Sequence, residues 1–429
     1  MLNNTVLRSM PNPETITRAE LPNGITVLAY ENPDAKSVVL SGGLDCGGAI
    51  NERPEHNGLA VMTAGALMRG TQNHDFQSLA ASLEDVGADF GVSAGIHGVS
   101  FGGKALGEDL ALLVDVMAEV LCRPTFPTDH IELLRREALT WMKYGLQDTR
   151  RQASKAFREA LYDASHPYHY SPRGTLETLP GLSAAMLQAF HAQQYGPQGM
   201  TVVVVGNVRA AEVVALIQAK LGDWANPTQP VWSAVPSAPQ VDELRRSFVP
   251  IPGKSQSDVI LGVVGPSRKS EDFQAARMAN SILGEFGMMG RVGENVRVKG
   301  GMAYYAYSKL EGGHGPGGWS IAAGVNPVNV DHAIELSVKE VRRMTEEFVT
   351  EEEISDNKSY FTGRMPLQLE SNEGVAGTIL SMMEYDLGLD YLVRMPDIIN
   401  RLTREDVMEV IRRYWQPDAY VVSVAGPQA

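Results

Sequence analysis

The feature that most constrains this chain is an internal repeat with an offset of 220 residues. Leu182–Gly206 reads LSAAMLQAFHAQQYGPQGMTVVVVG, and Leu402–Gly426 reads LTREDVMEVIRRYWQPDAYVVSVAG. The two segments align without a gap. Each predicts an N-capped amphipathic helix, a break at an aromatic residue and a proline, and then a buried strand. The same offset places the strand pattern SVVLSGGL on SDVILGVV. The repeat therefore predicts two homologous α+β halves.

A proline-rich segment separates the two halves. Asn226–Gln240 has four prolines in fifteen residues, which excludes a helix interior. We therefore predict an N-terminal domain over residues 1–225, an extended linker over 226–240 and a homologous C-terminal domain over 241–429. Within the second half, the run from Thr350 to Glu353 fits a capping box, so its acidic residues are assigned to a helix N-terminus rather than to a binding surface.

Composition limits the possible partners. The 429 residues are 44% hydrophobic and 21% charged, as in soluble globular proteins, and the net charge of -14 argues against nucleic acid. Neither a signal peptide nor an apolar stretch of 18 residues is evident. We expect a cytoplasmic protein without a membrane partner. A periplasmic or exported chain that had lost its signal peptide would look the same. Cys46 and Cys122 form no ligand cluster, and a disulfide between them stays open.

Four segments together resemble the pitrilysin-like metallopeptidases with the inverted zinc motif, in the branch of mitochondrial processing peptidase. They are LPNGITVLAYENPDAKSVVLSGGLDCGGAINERPEHNGLA, LCRPTFPTDHIELLRREAL, HPYHYSPRGTLETLPGLSAAMLQAFHAQQYGPQGMTVVVVGNV and RVGENVRVKGGMAYYAYS. The resemblance covers nearly the whole chain. It implies two homologous α+β domains, each an antiparallel-rich mixed sheet packed with helices.

The resemblance also implies that the zinc site is lost. Active members carry H-x-x-E-H, in which two histidines on one helix face bind zinc and the glutamate is the general base. The matching stretch of GLAVMTAGALMRGT consists of Val61, Met62, Thr63, Ala64 and Gly65. The third ligand of the family falls near Thr140 and Trp141. None of these side chains is a usual zinc ligand or a base, so we expect no zinc in this chain.

The remaining motifs do not rebuild a metal or phosphate site. His166 and His169 flank Pro167 in a predicted loop, which indicates surface or packing roles, and His332 has no ligand four residues on. The glycine-rich run from Gly312 to Gly318 is followed by no Lys-Ser/Thr pair and is not a phosphate loop. It predicts a mobile hairpin tip, with a contribution to peptide binding as the alternative.

Arg297 and Tyr304 are the candidate catalytic residues. In the family, an Arg and a Tyr seven residues apart are supplied to the zinc site of a partner chain, and VRVKGGMAYYAYS has this spacing. A guanidinium and a phenol hydroxyl could stabilise the oxyanion formed when zinc-hydroxide attacks a peptide carbonyl. The alternative is that Arg297 is a surface residue and Tyr304 one of several strand tyrosines. The VKGG sequence also departs from the charged pair that is common in the family.

The resemblance therefore implies a subunit that is inactive alone. Its partner would be a homologous chain that carries H-x-x-E-H and zinc, and the two would enclose an unfolded peptide. The strands near VVLSGGL are candidates for peptide contact by strand addition, and the acidic charge favours basic peptides. The alternative is a structural or peptide-binding subunit without a role in catalysis, as a homodimer or as a component like the core subunits of a respiratory complex. No motif supports catalysis by this chain alone.

Overall fold

Both halves of the sequence repeat form a β-sheet covered by helices, which confirms the predicted α+β class. The computed structural model describes residues 10–232, 234–285 and 290–428. The strands are β1 Ile16–Glu20, β2 Thr26–Glu31, β3 Ser37–Gly47, β4 Asp89–Ala94, β5 Gly98–Leu106, β6 Thr201–Gly206, β7 Arg245–Pro250, β8 Ser257–Val264, β9 Ala303–Gly312, β10 Pro316–Val325 and β11 Val421–Gly426.

The α-helices in the same residues have the following bounds. They are α1 Leu59–Leu67, α2 Phe76–Glu84, α3 Leu110–Cys122, α4 Thr128–Gly145, α5 Thr149–Leu161, α6 Ala184–Gln194, α7 Ala210–Leu221, α8 Phe273–Asn280, α9 Val330–Glu346, α10 Glu351–Gln368, α11 Asn372–Glu384, α12 Tyr391–Arg401 and α13 Arg404–Tyr414. Within the described ranges, no helix has the length and apolar content needed to cross a membrane.

The two sheets share one strand order. The first has the order β1-β2-β6-β3-β5-β4, and the second has the order β7-β11-β8-β10-β9. Among the described strands, β2 with β6 and β7 with β11 are the parallel pairs, and the other pairs are antiparallel. The second sheet thus repeats the first without a counterpart of β1. The expected antiparallel-rich mixed sheets in two homologous halves are confirmed.

The helix–strand unit that defines the repeat has the predicted form. Helices α6 and α13 begin 220 residues apart, and so do strands β6 and β11. The Ser183 hydroxyl accepts a hydrogen bond from the Met186 amide, and Thr403 forms a capping box with Asp406. A side-chain oxygen therefore satisfies an otherwise unpaired amide at the start of each helix. Both strands are almost entirely buried.

Each compact unit takes a segment from the other half of the sequence. One unit comprises the described residues within 1–141, 171–233 and 364–394, and the other those within 142–170, 234–363 and 395–429. Helix α5 of the first half packs on β7, β8 and β11, whereas α11 of the second half packs on β3 and β6. The units therefore differ from contiguous domains over 1–225 and 241–429, because these two helices cover the sheet of the opposite half.

We call α5 and α11 the exchanged helices, because each packs on the sheet of the opposite half. Apolar packing and polar residues at the N-terminus hold each of them in place. Helix α5 buries Ala153, Phe157 and Leu161 against the second sheet. At the start of α11, the Asn372 side chain donates to the Ser37 carbonyl at 3.1 Å and accepts from the Asn32 side chain at 2.8 Å. Pairing of these buried polar groups offsets the cost of removing them from water.

The segment over 226–240 is irregular in its described residues and is held by side chains at both ends. The Gln229 amide donates to the Gln198 carbonyl at 2.7 Å and to the Cys46 thiol at 3.1 Å. In the other unit, the His166 ring nitrogen Nε2 lies 3.1 Å from the Pro236 carbonyl. This segment thus has fixed points in each unit.

The two cysteines are free thiols, which closes the question of a disulfide between them. The buried Cys46 thiol donates to the Gln194 carbonyl at 2.9 Å. Burial raises the pKa of Cys122 to about 12, so this thiol stays protonated at neutral pH.

Glu353 caps helix α10 and also pairs with a buried arginine. Its carboxylate accepts from the Thr350 amide at 2.7 Å, while the Thr350 hydroxyl accepts from the Glu353 amide at 3.1 Å. The predicted capping box is therefore confirmed. The same carboxylate forms two bonds with Arg291, of 2.6 and 2.7 Å, and Arg291 is only 8% exposed. This bidentate pair joins the start of α10 to the core of the second unit.

Replacing Glu353 with Gln is expected to lower the free energy of unfolding by about 2 kcal/mol at pH 7. The substitution leaves the Arg291 charge buried without its counter-charge, and partial solvent exposure of the carboxylate places the loss below that of a fully buried pair. Urea unfolding followed by circular dichroism measures the loss, with exposed Glu352→Gln as the matched control. Equal stability of the two variants would contradict the assignment.

This loss should also depend on pH. Burial raises the pKa of Glu353, but bonds from Arg291 and Thr350 outweigh it and leave the pKa below its ordinary value. The pair therefore stabilises the fold above the unfolded pKa of about 4.3 and loses that contribution as the pH falls through the folded pKa. The difference between wild type and Glu353→Gln should shrink at acidic pH.

Candidate functional site

The helix that corresponds to the metal helix of the resemblance is α1, and Glu52 holds its first turn. The Glu52 carboxylate accepts from the amides of Gly58 and Ala60, both at 2.9 Å. Burial raises the pKa of Glu52 despite these bonds. Gly58 has a φ of 101°, and a Cβ there would lie 2.7 Å from the Leu179 side chain. The start of α1 thus needs both a glycine and a partly buried carboxylate.

The face of α1 that would carry metal ligands is apolar. Met62, Thr63 and Ala64 are buried, whereas Val61 is partly exposed and Gly65 is exposed. A Cβ added at Gly65 would have no neighbour within 4 Å. The position one turn after Val61 therefore opens into free space and offers no donor atom.

The position of the third ligand is also without a metal-binding side chain. Thr140 and Trp141 lie on α4, where the Thr140 hydroxyl donates to the Arg136 carbonyl at 2.8 Å and Trp141 is 66% exposed. Among all residues that the structure describes, no group of three or more His, Cys, Asp or Glu side chains is placed to hold a metal ion. The residues present do not fit zinc, and we derive no chemistry through a metal on this chain.

His166 and His169 have packing roles. The His166 ring stacks on Tyr162 with 5.0 Å between centroids, and its Nδ1 accepts from the Tyr168 amide at 3.1 Å. Its other nitrogen therefore carries the proton and donates to the Pro236 carbonyl. The His169 Nδ1 faces the Tyr162 carbonyl at 2.8 Å. Hydrogen bonds to the protein thus occupy these ring nitrogens, which confirms the packing interpretation.

The glycine-rich run from Gly312 to Gly318 forms the turn between β9 and β10, as predicted. The rest of the molecule holds it in place, because the Gly315 amide donates to the Tyr168 hydroxyl at 2.9 Å and the Pro316 carbonyl accepts from Tyr162 at 2.9 Å. A tip with these bonds differs from the mobile hairpin that we expected, because buried tyrosines of the preceding half reach its backbone.

Arg297 and Tyr304 lie on adjoining elements of the second unit. Arg297 is on the helical segment Gly293–Lys299, which contacts β9, and Tyr304 is the second residue of β9. Tyr304 is 63% exposed and Arg297 is partly exposed. Neither side chain has a polar partner among the described residues. Both groups are therefore available to a ligand.

A β-bulge sets the direction of Tyr304. Gly324 of β10 pairs with Tyr305, but the next residue, Val325, pairs with Ala303, so Tyr304 has no partner in the register. Bulges redirect side chains and are common beside functional sites. The Arg–Tyr spacing alone does not indicate this extra residue.

Of the strands near VVLSGGL that we expected to bind a peptide, β3 itself cannot do so. Strand β3 lies between β6 and β5 and pairs with both, so its backbone is occupied along the VVLSGGL stretch. The prediction is wrong for β3, because a strand can be added only at a sheet edge. The edge next to α1 is β4, which pairs with β5 and with no other described strand.

Sequence reasoning also missed the polar cluster around Asp258. This aspartate lies within an otherwise apolar strand, is 1% exposed, and accepts hydrogen bonds from Thr149, Gln256 and Tyr305. The signal in the sequence was a carboxylate inside SDVILGVV, since a charged residue in a buried strand requires nearby donors.

Comparison with known proteins identifies the same family over both halves. Residues 27–167 match the model described as Insulinase (Peptidase family M16), and residues 181–361 match the Peptidase M16 inactive domain. An uncharacterized zinc protease of Mycobacterium leprae is 25% identical over 96% of this chain and 92% of its own length. Mitochondrial-processing peptidase subunit beta of Saccharomyces cerevisiae is 20% identical over 87% of this chain and 82% of its own.

Solved structures show the same fold. A peptidase M16 inactive domain from Pseudomonas fluorescens has a TM-score of 0.88 at 24% identity and covers 96% of this chain and 98% of its own. A protease from Helicobacter pylori has a TM-score of 0.85 at 19% identity, with 96% and 99% covered. At these identities the similarity concerns the fold.

We predict that the purified chain retains no zinc, and that ligands can be restored. The combination of Val61→His, Gly65→His and Trp141→Glu should bind about one zinc ion per chain, because the histidines would share the open face of α1. Elemental analysis after dialysis measures the stoichiometry, with Val61→His plus Gly65→Ala as the one-histidine control. Stoichiometric zinc in the wild-type chain would contradict the apolar assignment of this face.

Proposed function

Because this chain belongs to the M16 (pitrilysin-like) peptidase family, in the branch of mitochondrial processing peptidase, we propose that it is the zinc-free subunit of a two-chain endopeptidase. The observation that carries the proposal is the contrast between two sites. The metal-helix positions carry no zinc ligand, whereas Arg297 and Tyr304 are accessible and have no polar partner among the described residues.

The partner subunit would be a homologue that carries H-x-x-E-H and binds zinc. Hydrolysis of a peptide needs an activated water, and this chain offers neither the ligands nor the base. The Saccharomyces cerevisiae relative is named as a subunit, and we extend the idea of a shared assembly to this chain. The similarity of both halves to the family suits pairing with a chain of the same fold.

Arg297 and Tyr304 would act on the peptide carbonyl in the partner's site, where a bound zinc would supply an activated water. Attack places negative charge on the carbonyl oxygen, and a guanidinium together with a phenol hydroxyl stabilises that charge. A guanidinium remains charged at any physiological pH and presents several fixed donors. The pair would therefore contribute to the transition state without taking part in proton transfer.

The substrate would be an unfolded peptide bound in an extended form. Strand β4 is an edge beside α1, and an added strand obtains most of its affinity from main-chain bonds, which tolerate many sequences. The net charge of -14 favours basic peptides through long-range attraction.

The first test is peptide turnover by the chain mixed with an H-x-x-E-H homologue of the same genome and zinc. We expect activity only in the mixture. Arg297→Ala or Tyr304→Phe should each lower kcat about 10²-fold, because each removes a donor to the oxyanion. Lys299→Ala is the matched control, since Lys299 lies in the same segment and pairs with Glu294 at 2.8 Å on the surface.

Complex formation should be unaffected by the three substitutions, as judged by size-exclusion chromatography. If neither Arg297→Ala nor Tyr304→Phe changed the activity of the mixture, the alternative would be favoured, which is a structural subunit without a role in catalysis. A complex that forms and cuts no peptide would favour a peptide-binding subunit.

Strand addition predicts a second result, with the chain alone and a labelled basic peptide. An added strand uses the amides of alternate residues, so N-methylation of one alternate set should weaken binding at least about tenfold, and methylation of the other set should not. Fluorescence anisotropy measures both affinities against the unmethylated peptide. Equal affinities for the two methylated peptides would exclude pairing at an edge such as β4.

A further inference from the structure

Asp258 is a buried carboxylate with three side-chain donors and no place in the chemistry proposed above. It lies in β8 and is 1% exposed. The Thr149 hydroxyl and the Tyr305 hydroxyl both donate to it, and the Gln256 amide lies 3.1 and 3.2 Å from its two oxygens. A buried charge of this kind is tolerated only where several donors converge on it.

Tyr305 reaches Asp258 across an intervening strand. Gly324 of β10 pairs with Asp258 on one side and with Tyr305 on the other, so the three residues form one row across the sheet. A Cβ at Gly324 would lie 2.4 Å from the Tyr305 ring and 2.6 Å from the Gln256 amide. Because Gly324 has no side chain, the Tyr305 ring can cross over β10 at this position.

Arg150 of the exchanged helix α5 covers the same ring. Its guanidinium carbon lies 3.8 Å from the Tyr305 ring centroid, and its Nε donates to the Tyr305 hydroxyl at 3.1 Å. Burial and the bond to Asp258 raise the pKa of Tyr305 well above its ordinary value, so the hydroxyl stays protonated and donates to the carboxylate. The ring is thus fixed at its face and at its hydroxyl.

This fixed tyrosine directly follows the bulged residue. Tyr304 has no register partner, and β9 is an edge strand whose described pairing is with β10 alone. A bulge at an edge has few main-chain bonds to define it. Tyr304 thus lacks a ladder partner in the sheet and is turned to solvent, whereas the side chain of the next residue, Tyr305, is bound to the interior.

We propose that Asp258, Tyr305 and Arg150 are positioning residues, which fix the bulge in β9 and so direct the Tyr304 hydroxyl toward its target. The inference rests on the proposed role of Tyr304 in catalysis. It also gives a role to the packing of α5 on the second sheet, because Thr149 and Arg150 complete the hydrogen bonds around Asp258 and Tyr305.

The structural half of the inference can be tested on the chain alone. Tyr305→Phe removes the hydroxyl and keeps the ring, and hydrogen exchange of the backbone around 303–306 should become about tenfold faster. Tyr307→Phe is the matched control, because Tyr307 lies two residues on in the same strand and its hydroxyl bonds to no described residue. Unchanged exchange in Tyr305→Phe would overturn the inference.

The functional half is tested by a double-mutant cycle in the two-chain mixture. Tyr305→Phe should lower kcat about tenfold with little change in KM, because a displaced donor loses transition-state contact more than substrate binding. The same substitution in a Tyr304→Phe background should cost almost nothing, since there is no longer a hydroxyl to position. Equal losses in both backgrounds would show that Tyr305 does not act through Tyr304.

Arg150→Met provides an independent variant, since Arg150 is on the surface and its loss leaves the Asp258 bonds in place. It should reproduce the kcat loss in weaker form and again depend on Tyr304. If Tyr304→Phe itself leaves turnover unchanged, the proposed function of the pair fails and the inference fails with it. If Tyr304→Phe is impaired but Tyr305→Phe is not, the inference alone fails.

Discussion

The packing of α5 and α11 on sheets of the opposite sequence half is the contact on which the rest of the fold depends. Each sheet has a face that must be covered, because strands such as β8 and β11 are completely buried. Phe157 of α5 lies against Gly262 of β8, where a Cβ would approach the ring to 2.9 Å. Each sheet is therefore covered partly by helices of its own half and partly by one helix of the other half.

This exchange has a chemical consequence as well as a mechanical one. The helix that closes the second sheet also carries Thr149 and Arg150 to Asp258 and Tyr305. Apolar burial drives the docking, and the polar residues at the helix start select one position along the sheet, because a buried carboxylate accepts only a narrow range of donor geometries. The contacts that dock α5 on the second sheet are thus the same contacts that hold Tyr305 in the edge strand β9.

The metal helix keeps its architecture because that architecture never depended on the metal. Glu52 caps its first amides, Gly58 supplies a left-handed turn, and Leu59 and Leu67 belong to the core. Removing histidines from the open face costs little, since a residue such as Gly65 contacts nothing there. The packing of this helix therefore does not require metal ligands at these positions.

The sequence alone was sufficient for the repeat, the helix caps at Ser183 and Thr403, and the missing metal ligands. The repeat and the caps depend on residues close together in the chain. The missing ligands follow directly from which residues occupy the positions of the zinc motif. The tertiary structure alone decided that α5 and α11 exchange, that β3 is central rather than an edge, and that Tyr304 lies at a bulge next to an anchored Tyr305. Strand order, register and the partner of a helix face depend on contacts between distant segments. Local periodicity shows that a face is apolar, but not which surface will cover it.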